Sequence, residues 1–154
     1  MSEKKDNAIE AFCKGYNCCQ SVLSAFCEDL GLDTDLALML SSGFGGGMGR
    51  LREVCGAVSA MFMIAGLKNG YTKPEELDKK TLLYKDIQDL AAKFKAKNGT
   101  IICRELLKNI KTTPGYIPEL RTKEYYHVRP CVRYIRDAAE IIDEYLNNTE
   151  NKKC

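Results

Sequence analysis

The chain has 154 residues, 45% apolar and 29% charged, and a net charge of +2 from 23 basic and 21 acidic side chains. This is the composition of one ordinary globular domain, long enough to bury a core without covalent staples. Near-balanced charge, with basic residues spread along the chain, signals no nucleic-acid partner and no membrane-surface partner.

Helical spacing of apolar residues dominates the chain. A first helix is expected from about Glu3 to Lys14, with Ala8, Ile9, Ala11 and Phe12 as its stripe and Gly15 as its stop. Asn17 reads as the cap of a second helix from Cys18 to Leu30, whose apolar face is Cys19, Val22, Leu23, Phe26 and Leu30. Asp33 or Thr34 caps a short third helix carrying Leu36, Leu40 and Phe44. The glycine-rich GFGGGMGR follows, then an apolar helix around Cys55 that ends near Asn69-Gly70. Pro74 is expected to open the longest helix, with Glu75 and Glu76 in its first turn. Leu82, Leu83, Ile87, Leu90, Ala91 and Phe94 mark its inner face, and Asn98-Gly99 its end.

A brief helix from Cys103 through Lys108 comes next, followed by an irregular stretch over 111–129. Pro130 then starts a last helix with Val132, Ile135, Ala138, Ala139, Ile142 and Tyr145 facing inward, and NNTENKKC is expected to fray. The methionines Met39, Met48, Met61 and Met63 read as fillers of core gaps, with Met48 close to the glycine turn. No strand alternation and no internal repeat are present, so the expected fold is all-α: a single-domain bundle of about six helices over 1–154. The N-terminus lacks an apolar export segment, and the run from Val54 to Leu67 is shorter than the roughly 20 residues of a membrane span. The expected compartment is the cytoplasm, where thiols stay reduced.

Against that background the eight cysteines matter: Cys13, Cys18, Cys19, Cys27, Cys55, Cys103, Cys131 and Cys154. There is no Cys-x-x-Cys, no Cys-x-x-Cys-His for covalent haem, no zinc-finger spacing and a lone histidine, His127. Any convergence of thiols must come from the fold. Cys18, Cys55, Cys103 and Cys131 each fall at an expected helix start, where unpaired N–H groups and the helix dipole favour a thiolate. Arg50 and Arg52 flank the approach to Cys55, Arg104 follows Cys103, and Arg129 and Arg133 bracket Cys131, the setting that lowers a thiol pKa. Cys13, Cys27 and Cys154 read as thiols without a redox role, the first two on helix faces.

GFGGGMGR lacks the Lys-Ser/Thr of a phosphate loop and follows a helix rather than a strand, which argues against nucleotide binding. Its expected role is to bring backbone close beside Cys55, with Gly45, Gly46, Gly47 and Gly56 as the cofactor-binding positions presenting N–H groups to sulfur or to a cluster. The rival reading is a plain helix–helix connection. His127, four residues before Cys131, reads as a surface loop residue, with a ligand or proton-transfer role as the alternative.

NCCQSVLSAF, GFGGGMGR, CGAVSA, the later CREL and a cysteine at the last helix resemble, in this order, the redox-active family named for its C-GCAxxG-C-C pattern. The resemblance runs from about Asn17 to Leu146. It assigns the four family cysteines to Cys18, Cys55, Cys103 and Cys131, with Cys19 as a neighbour that could exchange for Cys18. Ala60 replaces the last glycine of CGAxxG. Split-Soret haem cytochromes are similar to this family and combine such a domain with haem and an iron–sulfur centre. The resemblance therefore implies an iron–sulfur role, with no covalent haem.

Three functions follow. In the first, the four cysteines form an iron–sulfur or metal centre for electron transfer with a redox partner protein. In the second, two of them cycle through a disulfide in a thiol oxidoreductase. In the third, the thiols pack or hold a structural zinc ion in an interaction module, and a bundle of this kind can associate as a homo-oligomer. No acid–base pair or activated nucleophile specifies an enzymatic reaction.

Overall fold

The computed structural model describes residues 2–151. Helices run α1 (Ser2–Cys13), α2 (Cys18–Phe26), α3 (Thr34–Ser41), α4 (Gly45–Met48), α5 (Gly56–Asn69), α6 (Leu77–Asn98), α7 (Cys103–Leu106), α8 (Lys123–Val128) and α9 (Cys131–Asn151). Six of these have eight residues or more, and there is no strand among the described residues, only an isolated antiparallel bridge between Val54 and Ile102. The fold is the expected all-α bundle. No helix among the described residues is long and apolar enough to cross a membrane.

The apolar α5 is the central element, packed on α2, α6 and α9, while α1 lies across α2 and α9. Its small residues Ala57, Ala60 and Ala65 let neighbouring helices approach, and Val58, Met61 and Ile64 fill the space between. Phe12, Leu23, Phe26, Leu90, Phe94, Ile135 and Ile142 complete the buried core. Burying such side chains contributes roughly 1.5–3 kcal/mol each, which is why helices of low intrinsic propensity hold together here.

Several expectations need correction. The second helix stops at Phe26; Glu28–Leu30 forms a tighter 3-10 turn closed by Gly31 in the left-handed region. α3 docks through Ala37 and Ser41, whose hydroxyl donates to the Ala37 carbonyl at 2.7 Å. That rotation leaves Leu36, Met39 and Leu40 exposed, so Met39 fills no core gap. Pro74 does not open α6: the Glu76 amide donates to Lys73 across a turn, and the helix begins at Leu77 with Leu82 exposed. The stretch 111–129 is not wholly irregular, since Thr122 accepts a hydrogen bond from the Tyr125 amide and caps α8. α9 starts at Cys131 rather than Pro130 and continues to Asn151, so residues 147–151 are helical; Cys154 lies outside the described residues. Cys13 is exposed rather than packed, whereas Cys27 is buried.

Candidate functional site

The glycine-rich segment forms a left-handed turn. Gly46, Gly47, Met48, Gly49 and Arg50 are consecutive residues with φ between 61° and 71°, and Arg52 follows with φ 61°. Amides of Arg50, Arg52 and Glu53 donate back to the carbonyls of Gly45, Gly46 and Gly47, which closes the turn. For Met48, Arg50 and Arg52 this conformation costs about 1–2 kcal/mol each, a burden normally found only where the surroundings dictate it. Contact explains the glycine at position 47: a Cβ there would lie 2.6 Å from Cys103 Cβ and 2.8 Å from Arg52 Cα.

The same close approach brings α2 and α5 together. A Cβ on Gly56 would meet the Cys19 amide nitrogen and the Phe44 carbonyl oxygen at 3.0 Å and Cys18 Cβ at 3.1 Å. α2 begins with a reciprocal cap, in which Asn17 Oδ1 accepts from the Gln20 amide at 2.8 Å and Gln20 Oε1 accepts from the Asn17 amide at 3.1 Å. Cys18 is thereby fixed as the first helical residue, and its neighbour Cys19 turns into the core, its thiol donating to Met63 Sδ at 3.9 Å. The short antiparallel pairing of 53–55 with 101–103 sets the next two thiols. The Cys55 amide donates to Ile101 at 2.8 Å and the Cys103 amide to Glu53 at 2.6 Å. Cys131 opens α9 directly after Pro130.

All four helix-start thiols, Cys18, Cys55, Cys103 and Cys131, line one cavity of about 270 Å³. Gly45, Gly46, Gly47 and Gly56 line it too, together with Arg50, Arg52, Arg121, Arg129, Glu119, Tyr125 and Tyr134. Neither His127, which is exposed on α8, nor Met48 lines it. Among the described residues no three Cys, His, Asp or Glu side chains come together closely enough to hold a single metal ion.

Their protonation differs from the sequence expectation. The neighbouring Cys131 sulfur and burial push Cys18 well above the ordinary thiol value, and Cys18, helped by Arg129, brings Cys131 down to about 7 despite burial. Cys55 is pushed up to about 12 by burial, although its sulfur accepts the backbone N–H groups of Val58 and Ala57. Burial also raises Cys103, opposed by the Arg52 guanidinium, whose Nη1 lies 3.9 Å from Cys103 Sγ. Only Cys131 is lowered, by its neighbours Cys18 and Arg129, while burial is the main cause that raises Cys55 and Cys103.

Other expected contacts are also redistributed. The donors at the Cys55 sulfur come from the first turn of α5 rather than from the glycine turn, which instead abuts Cys103. Arg52 faces Cys103 rather than Cys55, Arg104 pairs with Glu53 outside the cavity, and Arg133 lies over the Tyr134 ring. Sequence reasoning missed Arg121, Glu119, Tyr125 and Tyr134. Arg121 donates to the Phe12 and Tyr16 carbonyls at 3.0 Å and stacks 4.3 Å from the Phe12 ring centroid, tying the far side of the cavity to α1. The Thr122 cap and the paired tyrosines after it were the available signal.

The donor chemistry fits an iron–sulfur group. Thiolates are its usual ligands, and amide and guanidinium donors near sulfur tune such a group. A family model described as "Putative redox-active protein (C_GCAxxG_C_C)" matches residues 16–145 of the chain. No curated protein and no solved structure matches it.

Proposed function

We propose, for a chain that belongs to the C_GCAxxG_C_C family of redox-active proteins, that Cys18, Cys55, Cys103 and Cys131 hold an iron–sulfur cluster that exchanges electrons with a partner protein. One observation carries this reading: four helix starts, distant in sequence, deliver four thiols to the walls of one small cavity. The cluster would supply one-electron chemistry. The chain's own residues do the rest. Gly47 and Gly56 allow the close approach of the elements bearing Cys103 and Cys18, the Ala57 and Val58 amides donate to the Cys55 sulfur, and Arg52 and Arg129 set positive charge beside Cys103 and Cys131. Replacing Cys55 or Cys103 with serine is expected to abolish stoichiometric iron binding while the helical content is kept. Unchanged iron in both variants would exclude the reading.

A second reading rests on Cys18 and Cys131 lining the same cavity and on the opposite displacement of the two thiols. In it, the Cys131 thiolate attacks one sulfur of a partner disulfide and releases the other as a thiol. Cys18 then attacks the mixed disulfide and frees the second thiol, so two electrons pass from the pair to the partner and the pair is left as a disulfide. This reading expects a metal-free protein whose Cys18–Cys131 bridge forms reversibly.

A further inference from the structure

Residues 111–120 cross the mouth of the cavity without a single buried side chain, and Tyr116, Ile117 and Leu120 stand open to solvent. Polar contacts attach this strap instead. Arg50 Nη1 donates to the carbonyls of Gly115, at 3.0 Å, and Ile117, while Nη2 donates to Thr113 O at 2.8 Å and Thr113 Oγ1 at 3.0 Å. Farther along, Glu119 Oε2 is bonded by Arg129 Nη2 and is approached by Arg50 Nη2 at 3.6 Å and Arg52 Nη2 at 3.8 Å.

Three guanidiniums thus converge on one carboxylate oxygen, a charge excess in a mostly enclosed place. Arg52 Nη2 is buried and has no hydrogen-bond partner at all. The backbone holds Arg52 in the left-handed region, with Nη1 toward Cys103 and Nη2 toward Glu119, so this one side chain bridges the thiols and the carboxylate. Planar guanidinium forks match oxyanions in two-point fashion, and the group they receive here is supplied by the strap itself.

We propose that the Arg50–Arg52–Arg129 corner binds the oxyanion group, carboxylate or phosphate, of a small redox substrate, and that Glu119 stands in for that group while the strap is closed. The substrate half of this statement rests on the redox centre proposed above; the anion site itself does not. An incoming anion displaces Glu119, the strap lifts, and the ligand is left beside Cys103 and Cys131. The strap has little apolar burial to oppose such an opening.

Titration calorimetry on the full chain with inorganic phosphate and, separately, malonate tests the site. The wild-type protein is expected to bind at least one of them, and which one separates the phosphate class from the carboxylate class. Glu119→Gln is expected to bind about tenfold more tightly, because the competing charged occupant is gone. Arg52→Gly, whose backbone suits a φ of 61°, is expected to lose at least about tenfold. Amide exchange over 111–120 should rise when the anion is added to wild type. Equal affinity in all three proteins, or no binding by a folded Glu119→Gln protein, overturns the proposal. If Arg52→Gly fails to fold, the Glu119→Gln comparison decides alone. Iron and sulfide counted on the same wild-type samples separate the two claims: phosphate binding without a cluster removes only the cluster, and a cluster without anion binding removes only the anion site.

Discussion

Replacing Gly47 with alanine perturbs the site at its tightest point. The backbone there has φ 71°, and the new methyl would sit 2.6 Å from Cys103 Cβ, 2.8 Å from Arg52 Cα and 3.0 Å from the Arg52 carbonyl carbon. None of these atoms is the loose end of a side chain. Left-handed strain of about 1–2 kcal/mol and an overpacking cost of about 1–3 kcal/mol together give an expected loss of about 2–5 kcal/mol. Gly49→Ala is the control: its φ is 61°, but its methyl would meet only the Gly43 carbonyl oxygen, at 3.6 Å. It should therefore lose about 1–2 kcal/mol, from strain alone. Urea unfolding of the three proteins, followed by helical circular dichroism, gives the two differences at constant slope. Equal losses would refute the claim that Gly47 is there for the contact with Cys103. A Gly47→Ala protein with a normal cluster would likewise reduce the segment to a plain connection.

Serine substitutions at the adjacent cysteines should separate their roles: Cys18→Ser loses iron, while Cys19→Ser keeps it and loses about 1–3 kcal/mol by burying a hydroxyl beside Met63. Equal iron loss in both would show that either sulfur can serve. In metal-free protein, alkylation of Cys131 by iodoacetamide should rise with pH around a midpoint of about 7, while Cys55, held at about 12, stays protected at neutral pH. Peptide mass mapping reads both, and a Cys131 midpoint near the ordinary thiol value contradicts the lowering of Cys131 by Cys18 and Arg129. Because folding lowers the Cys131 pKa, its contribution to metal-free stability is present above the ordinary thiol value and is lost as pH falls through about 7. Arg50→Ala removes every strap bond that this guanidinium makes, so cleavage after Lys111 by trypsin should speed up with little change in the melting temperature. Unchanged cleavage would mean that Glu119 alone holds the strap.

The periodicity of the apolar residues was enough to read an all-α bundle, because the packed stripes of α1, α2 and α9 repeat with helical spacing. It failed at α3, where the burial of Ala37 and Ser41 rather than Leu36 and Leu40 depends on how closely α2 approaches, a tertiary fact. The placement of the four cavity cysteines at helix starts was legible in the sequence, but only Cys18 follows a side-chain cap, and their selection as one set leaned on the family resemblance. The pairing of thiols with arginines was not legible. Arg52 reaches Cys103 across the left-handed turn, and Arg121 follows directly on a segment with almost no periodic signal. Thiol acidity was misjudged for a related reason, as the degree of burial that raises Cys55 cannot be read from a helix start.

Anaerobic purification of the full chain, followed by a visible spectrum and counts of iron, acid-labile sulfide and zinc, bears most directly on the proposed centre. A coloured protein with iron and sulfide in matching amounts, both lost in Cys55→Ser and Cys103→Ser, is the result expected of four thiols around one cavity. A colourless protein that takes up neither iron nor sulfide on reconstitution, while Cys18 and Cys131 form a reversible bridge, would contradict the cluster and leave the dithiol in its place.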